Sequence, residues 1–261
     1  MEIIPVEKST DPRRINETAP ILVAHQPEFL PYLGNIAKAA MGDVYVLLDT
    51  VQFEKQHWQS RNRIRVNSPD GWQWLIIQLK AVGNHMMNTN EVILDGDFWK
   101  KKHLKAIQMA YSKAPHFKPV FEELSEVYNR KHTCLVEFLV DLIRFAFGKF
   151  DIKTPVYLTS ELLARGYDLE GKKSEHLVKI SRCFDTKTFL FGRDGATYVD
   201  RDIFAGAGII PVFQDFHHPE YKQVHDGPFQ PYMSFIDLLF NHAPEAINIL
   251  GTCGYTHLEG Q

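Results

Sequence analysis

Four groups of residues have types and spacings that can do chemistry. The first is His25, Gln26, Pro27, Pro31, Gly34 and Lys38. The prolines fix the backbone, and Gly34 permits close approach of a ligand to a helix start, where free N–H groups attract phosphate or carboxylate. His25 could give a hydrogen bond or a positive charge to a reacting phosphate. The plainer reading is a strand-end histidine bonded to nearby backbone. The second group is Asp49, Gln52, Lys55, Trp58, Arg61, Asn62 and Arg63. Asp49 could take a hydroxyl, an amine or a metal. Arg61 and Arg63 could hold a carboxylate or phosphate through paired N–H groups, and Trp58 could stack on a base or sugar ring. A solvated hairpin with surface arginines is the plainer reading. The third group is Gly192, Arg193, Asp194, Gly195, Tyr198 and Asp200. Two glycines after an apolar run suit a phosphate-contacting turn, and equally an ordinary strand-to-helix connection. The fourth is His217, His218, Pro219, Tyr221, Gln223 and His225. A catalytic or substrate-binding His218 fits better than a zinc site, because adjacent histidines point apart and no carboxylate spacing completes a metal pattern.

The elements that must position these groups read as alternating strands and helices. Leu22 to Ala24 is a short apolar run that stops at His25-Gln26. A proline-braced turn, a short helix to Met41–Gly42 and a second run, Val44 to Leu48, follow. This is one βαβ unit with polar residues at both strand ends, the edge where open α/β sheets bind ligands. Pro69-Asp70-Gly71 predicts a turn between strands Arg61–Val66 and Trp72–Leu79. Residues 97–150 form a helical block with apolar positions at helical spacing: Leu104, Ile107 and Tyr111, then Phe121, Leu124 and Tyr128, then Leu135, Phe138, Leu139, Leu142 and Phe145. About three helices fit it. Further strands are expected at 155–159, 189–191 and Ile209–Phe213, a helix capped by Ser174, and a helix from Ser234 to Asn241. The chain thus divides into an irregular leader (1–20), a βαβ-plus-hairpin part (21–96), the helical block (97–150) and a second α/β part (151–261). The fold class is α/β, with a mostly parallel open sheet and a helical insertion or subdomain.

Composition narrows the function classes. Hydrophobic residues make up 44% and charged residues 23%, as expected for a globular protein. A net charge of −3 argues against general nucleic-acid binding. The charged first twenty residues and the lack of a long apolar run predict neither a signal peptide nor a membrane span, and so a cytoplasmic location. Cys134, Cys183 and Cys253 are distant and odd in number, without zinc spacing. No P-loop, complete dinucleotide fingerprint or nucleophile elbow occurs.

At HQPEFLPYLG, followed by DVYVLLDTVQFEKQHWQSRNRI, the chain resembles the WbqC-like protein family. FLFGRDGATYVD, the HHPEY segment and FQPYMSFIDLLFN continue the pattern in order, so the resemblance covers roughly residues 21–250. Phe191 stands where Ser precedes the glycine in the pattern, and Tyr32 where Trp is usual. Both departures bear on substrate preference more than on fold. The resemblance implies a bacterial origin, a link to surface-polysaccharide or amino-sugar metabolism, and transfer of an acyl or aminoacyl unit to an amine. A wider similarity links the βαβ unit, Asp49–Phe53 and Phe191–Asp194 to nucleotidyltransferase-like (Rossmann-like) enzymes such as pantothenate synthetase. These activate a carboxylate as an adenylate. Their second motif histidine is missing here, with Leu33-Gly34-Asn35 in its place.

These readings combine into an expected enzyme with His25, Asp49 and His218 as catalytic groups. Gln26, Gly34, Lys38, Gln52, Trp58, Arg61, Asn62, Gly192, Arg193, Asp194, Tyr198, Tyr221 and Gln223 are the expected binding residues. The expected partners are small molecules, an anionic donor and an amine, with ATP and magnesium or a preformed acyl donor as cofactor options. No metal ligands are expected, and a homodimer is open. Two rival readings remain: a non-catalytic nucleotide-sugar-binding scaffold, and a metal-dependent hydrolase using His217, His218 and His225.

Overall fold

A computed structural model describes residues 2–80 and 87–257. Residues 81–86 of the expected 21–96 segment, and Met1 and 258–261 at the ends, lie outside the described residues. Ile21–His25 (β1) and Val44–Leu47 (β2) are the strands of the expected βαβ unit, joined by the helix Leu33–Ala40 (α1). Arg61–Arg65 (β3) and Trp72–Ile76 (β4) form a separate antiparallel hairpin. The helical block is Phe98–Tyr111 (α2), Phe117–Asn129 (α3) and Leu135–Lys149 (α4). Then follow Val156–Leu158 (β5), Thr159–Ala164 (α5), Ser174–Cys183 (α6), Thr188–Phe191 (β6), Arg201–Gly206 (α7) and Ile210–Asp215 (β7). Phe235–His242 (α8), Ala246–Leu250 (α9) and Gly254–His257 (β8) complete the order.

The main sheet runs β5-β2-β1-β6-β7-β8, parallel except for the edge strand β8. The protein is therefore α/β with a mostly parallel open sheet of the Rossmann type. Both faces of this sheet are covered, so its strands are apolar on both sides. Alternation along each strand divides the core. Ile21, Val23, Tyr45 and Leu47 pack with α1, the helical block and α8. Leu22, Val44, Val46 and Phe189 pack with residues of α5, α6 and α7. A fully buried Leu or Phe here stabilises by about 1.5–3 kcal/mol.

One sequence expectation needs correction at the element level. Ser174 is the first residue of α6 rather than its cap, and its Oγ accepts from the Asp200 N–H. The leader is irregular but anchored. Arg14 is paired with the fully buried Asp43, which also accepts from the Ser9 and Ile21 N–H groups.

Candidate active site

Strand order reverses at β1, which pairs with β2 on one side and β6 on the other. The loops leaving the two strands diverge there and open a crevice. A cavity of about 800 Å³ occupies it, lined from β1 by Ala24, His25 and Gln26, from α1 by Asn35 and Lys38, and from the β6 end by Gly192, Arg193, Asp194 and Tyr198. Lys173 and Ser174 at the start of α6, with Glu54, His57 and Gln59, complete its wall.

The cavity floor is a chain of polar groups. Lys38 Nζ lies 3.0 Å from His25 Nδ1, and His25 Nε2 lies 3.0 Å from Glu28 Oε1. Asn35 Nδ2 donates to Glu28 Oε2 at 3.0 Å, and the Tyr45 hydroxyl donates to Asn35 Oδ1 at 2.7 Å. An ammonium has only donors, so a protonated Lys38 makes Nδ1 the acceptor and leaves the ring proton on Nε2, facing Glu28. Every residue of α1 is buried, which forces its two polar long-chain members to find partners inside. Burial lowers the Lys38 pKa to about 8, against the opposing pull of Glu28. Burial, then the Lys38 charge, also lowers His25, against the opposing charge and hydrogen bond of Glu28. Burial works to raise Glu28, but the charge and hydrogen bond of His25, helped by Asn35 and Lys38, outweigh it and hold the carboxyl below its usual range. Burial pushes Tyr32 up to about 12. Both His25 ring nitrogens and both Glu28 oxygens are engaged. Among the described residues Lys38 has one further hydrogen-bond contact, a long 3.5 Å approach to the Ala24 carbonyl, and so keeps N–H capacity for the cavity.

Of the residues singled out from sequence, His25, Gln26, Lys38, Gly192, Arg193, Asp194, Gly195 and Tyr198 converge on the cavity. Gln26 is held there by a 3.0 Å bond from Gln59 Nε2 to its carbonyl oxygen. The others lie elsewhere. Asp49 is fully buried, and its carboxylate accepts from the Thr159 hydroxyl and from the N–H and hydroxyl of Ser160, so it holds the start of α5. Gly34 is buried with no ligand space: a Cβ there would stand 2.4 Å from the Tyr32 ring, which covers the α1 start. The expected anion site at that helix start is therefore closed by the chain's own aromatic ring. Asn62 Nδ2 donates to the Phe29 and Leu30 carbonyls and fixes the loop after β1, where Leu30 has φ 45°. Gln52 bridges to Asn88, outside the cavity wall. Trp58 and Arg61 belong to the hairpin face, where the Arg61 guanidinium lies 4.4 Å from the Trp74 ring centre.

His218 does not reach the cavity. Its Nδ1 lies 2.8 Å from the Pro219 carbonyl and its Nε2 accepts from the Tyr232 N–H, so backbone takes both ring nitrogens. Tyr221 and Gln223 donate to Asp237 Oδ2, while Tyr111 donates to Oδ1, in a buried network under the hairpin. The histidines near 218 do not assemble a metal site. Among the described residues no three His, Cys, Asp or Glu side chains are grouped to hold a metal ion. Glu28 and Asn35 were missed from sequence. Their signal was two polar residues inside the apolar pattern of the first helix and its entry loop. Tyr32 entered only as a departure from the family pattern, and Lys173, His57 and Gln59 carried no local signal, because only the fold brings them to the cavity.

Residues 26–249 match the model of the WbqC-like protein family. The chain belongs to that family. It is 28% identical over 230 residues to the uncharacterized protein Rv1507c of Mycobacterium tuberculosis, spanning 87% of this chain and 96% of that protein. No solved structure matches the chain. Within this WbqC-like chain, the family match begins at Gln26, at the cavity, and runs through α8. No helix among the described residues is long and apolar enough to cross a membrane.

Proposed function

We propose that this WbqC-like protein is an enzyme that transfers an acyl or aminoacyl group from an anionic donor to the amine of an amino sugar or a related small amine. The observation that carries the reading is the Lys38–His25–Glu28 chain on the floor of a cavity at the sheet's reversal point. Amide formation requires a base for the attacking amine and an acid for the leaving group, and a group with pKa near the working pH serves both. Lys38, lowered to about 8, is that group. In its neutral form it takes the proton from the nitrogen as the C–N bond forms. The proton then passes to the leaving group as the bond between carbonyl carbon and donor breaks. His25 and Glu28 orient Lys38 from behind. Lys173 and Arg193 are exposed at the cavity wall and have no carboxylate within salt-bridge distance among the described residues, so they are the groups for the donor's negative charge.

The adenylate route implied by the wider resemblance needs a second motif histidine. Asn35 stands there instead, bonded to Glu28 and Tyr45. A preformed donor therefore fits this floor better, and ATP with magnesium and a free acid forms a separate arm of the test. Purified protein is incubated with acyl thioesters or acyl adenylates, or with ATP, magnesium and free acids, together with nucleotide-linked amino sugars. High-resolution mass spectrometry follows the products. The expected product is the amide, formed by wild type and abolished in Lys38→Met. Retention of unaltered nucleotide sugar by folded protein, without any amide across these donors, would assign the cavity to binding instead.

A further inference from the structure

Outside the cavity, one face of the β3–β4 hairpin gathers Trp72, Trp74, Arg61 and Arg63, with Trp58 packed against it. The opposite face, with Asn62, Ile64 and Leu75, is buried in the core. Arg63 lies among the indoles, its guanidinium 5.2 Å from the Trp72 ring centre, 5.8 Å from Trp58 and 5.9 Å from Trp74. Arg61 lies 4.4 Å from Trp74. A guanidinium stacked flat on a ring keeps its N–H edge free for an oxyanion. Neither arginine forms a salt bridge among the described residues. Among the described residues the Arg63 side chain donates only a 3.3 Å bond to the Tyr232 carbonyl, and its enclosed Nε has no partner. The face borders the cavity: the Trp58 and His57 rings lie 6.3 Å apart, and His57 lines the cavity wall.

We propose that this hairpin face binds an acidic saccharide, whose rings stack on the indoles and whose carboxylate takes the N–H edges of Arg61 and Arg63. Aromatic faces suit the C–H surface of a sugar ring, and paired guanidinium N–H groups suit a planar carboxylate. As the landing face for the acceptor, this site rests on the proposed transfer reaction. As a binding site it is measured without turnover, so the two can fail separately.

The probe is the tetramer of galacturonic acid, with cellotetraose as the neutral control. Three of the chain's 4 tryptophans lie on this face and the fourth, Trp99, is 1% exposed, so intrinsic fluorescence reports on it. The acidic tetramer is expected to give saturable quenching, weakened by about tenfold or more with cellotetraose or with Arg63→Gln. Arg61→Gln gives an independent reading should Arg63→Gln not fold, as judged by circular dichroism. No saturable binding of the acidic tetramer up to about 10 mM, equal binding of the neutral one, or indifference to both substitutions would overturn the proposal. So would tighter binding to a short oligothymidylate or to phosphatidylglycerol vesicles, which would make the face one for nucleic acid or membrane.

Discussion

At the residue scale, the proposed site sets stability against chemistry. Lys38 is 3% exposed, and its charged form is disfavoured by burial despite Glu28 nearby. Its pKa is about 8 in the folded chain and 10.5 at its ordinary value, so the unfolded chain binds more protons between these limits. Stability from this group is therefore complete above about pH 10.5 and lost as pH falls through about 8. Urea unfolding should show wild type gaining about 3 kcal/mol relative to Lys38→Met between pH 8 and 10.5. A parallel pH dependence of the two proteins would mean an ordinary lysine. Glu28→Gln keeps the shape of the floor but removes the charge facing His25. It should lower kcat by about tenfold or more with little change in KM, since Glu28 positions rather than binds. The histidine and the lysine were legible in sequence because they flank a turn at a strand end. Glu28 was missed because its only signal, an acidic residue within an apolar entry loop, does not by itself say which way the side chain turns.

At the element scale, several residues that read as chemistry are engaged in holding neighbouring elements together. Asp49 ends the run after β2, as expected from its neighbours, yet its carboxylate holds the first turn of α5. Asp49→Ala should cost about 1–3 kcal/mol in urea unfolding, from lost capping and unpaired buried hydroxyl and N–H groups, while turnover per folded molecule stays near wild type. A large fall in turnover with stability intact would return Asp49 to the catalytic set. Gly34 is required by packing, not by backbone freedom. In Gly34→Ala the new Cβ must displace the Tyr32 ring, at a cost of about 1–3 kcal/mol. The substitution should lower the thermal midpoint and alter substrate KM, because Tyr32 lines the cavity. Strand ends, the hairpin and the three helices of the block were readable from periodicity. The Asp49 and Gly34 roles were not, because a capping carboxylate and a catalytic one look alike until the next element is placed.

At the scale of the whole molecule, topology makes the site. Neighbouring strands β1 and β6 are separated by more than 160 residues in the chain, and the cavity exists only where they meet. Alternation of strand and helix predicted the parallel sheet and its ligand edge. Pairing order, the antiparallel edge strand β8 and the contribution of α6 depend on contacts that a local pattern does not encode. The leader joins this architecture through Arg14 and Asp43. Asp43→Asn leaves the Arg14 guanidinium without its carboxylate in a largely buried position and should cost about 3 kcal/mol in urea unfolding.

The measurement that reaches the central claim is the pH dependence of kcat/KM for amide formation, taken on wild type and on Lys38→Met. The wild-type rate is expected to climb as Lys38 loses its proton, to level above about pH 8, and to disappear in the variant. A wild-type profile flat from pH 6 to 9, or a folded variant with undiminished turnover, would contradict it.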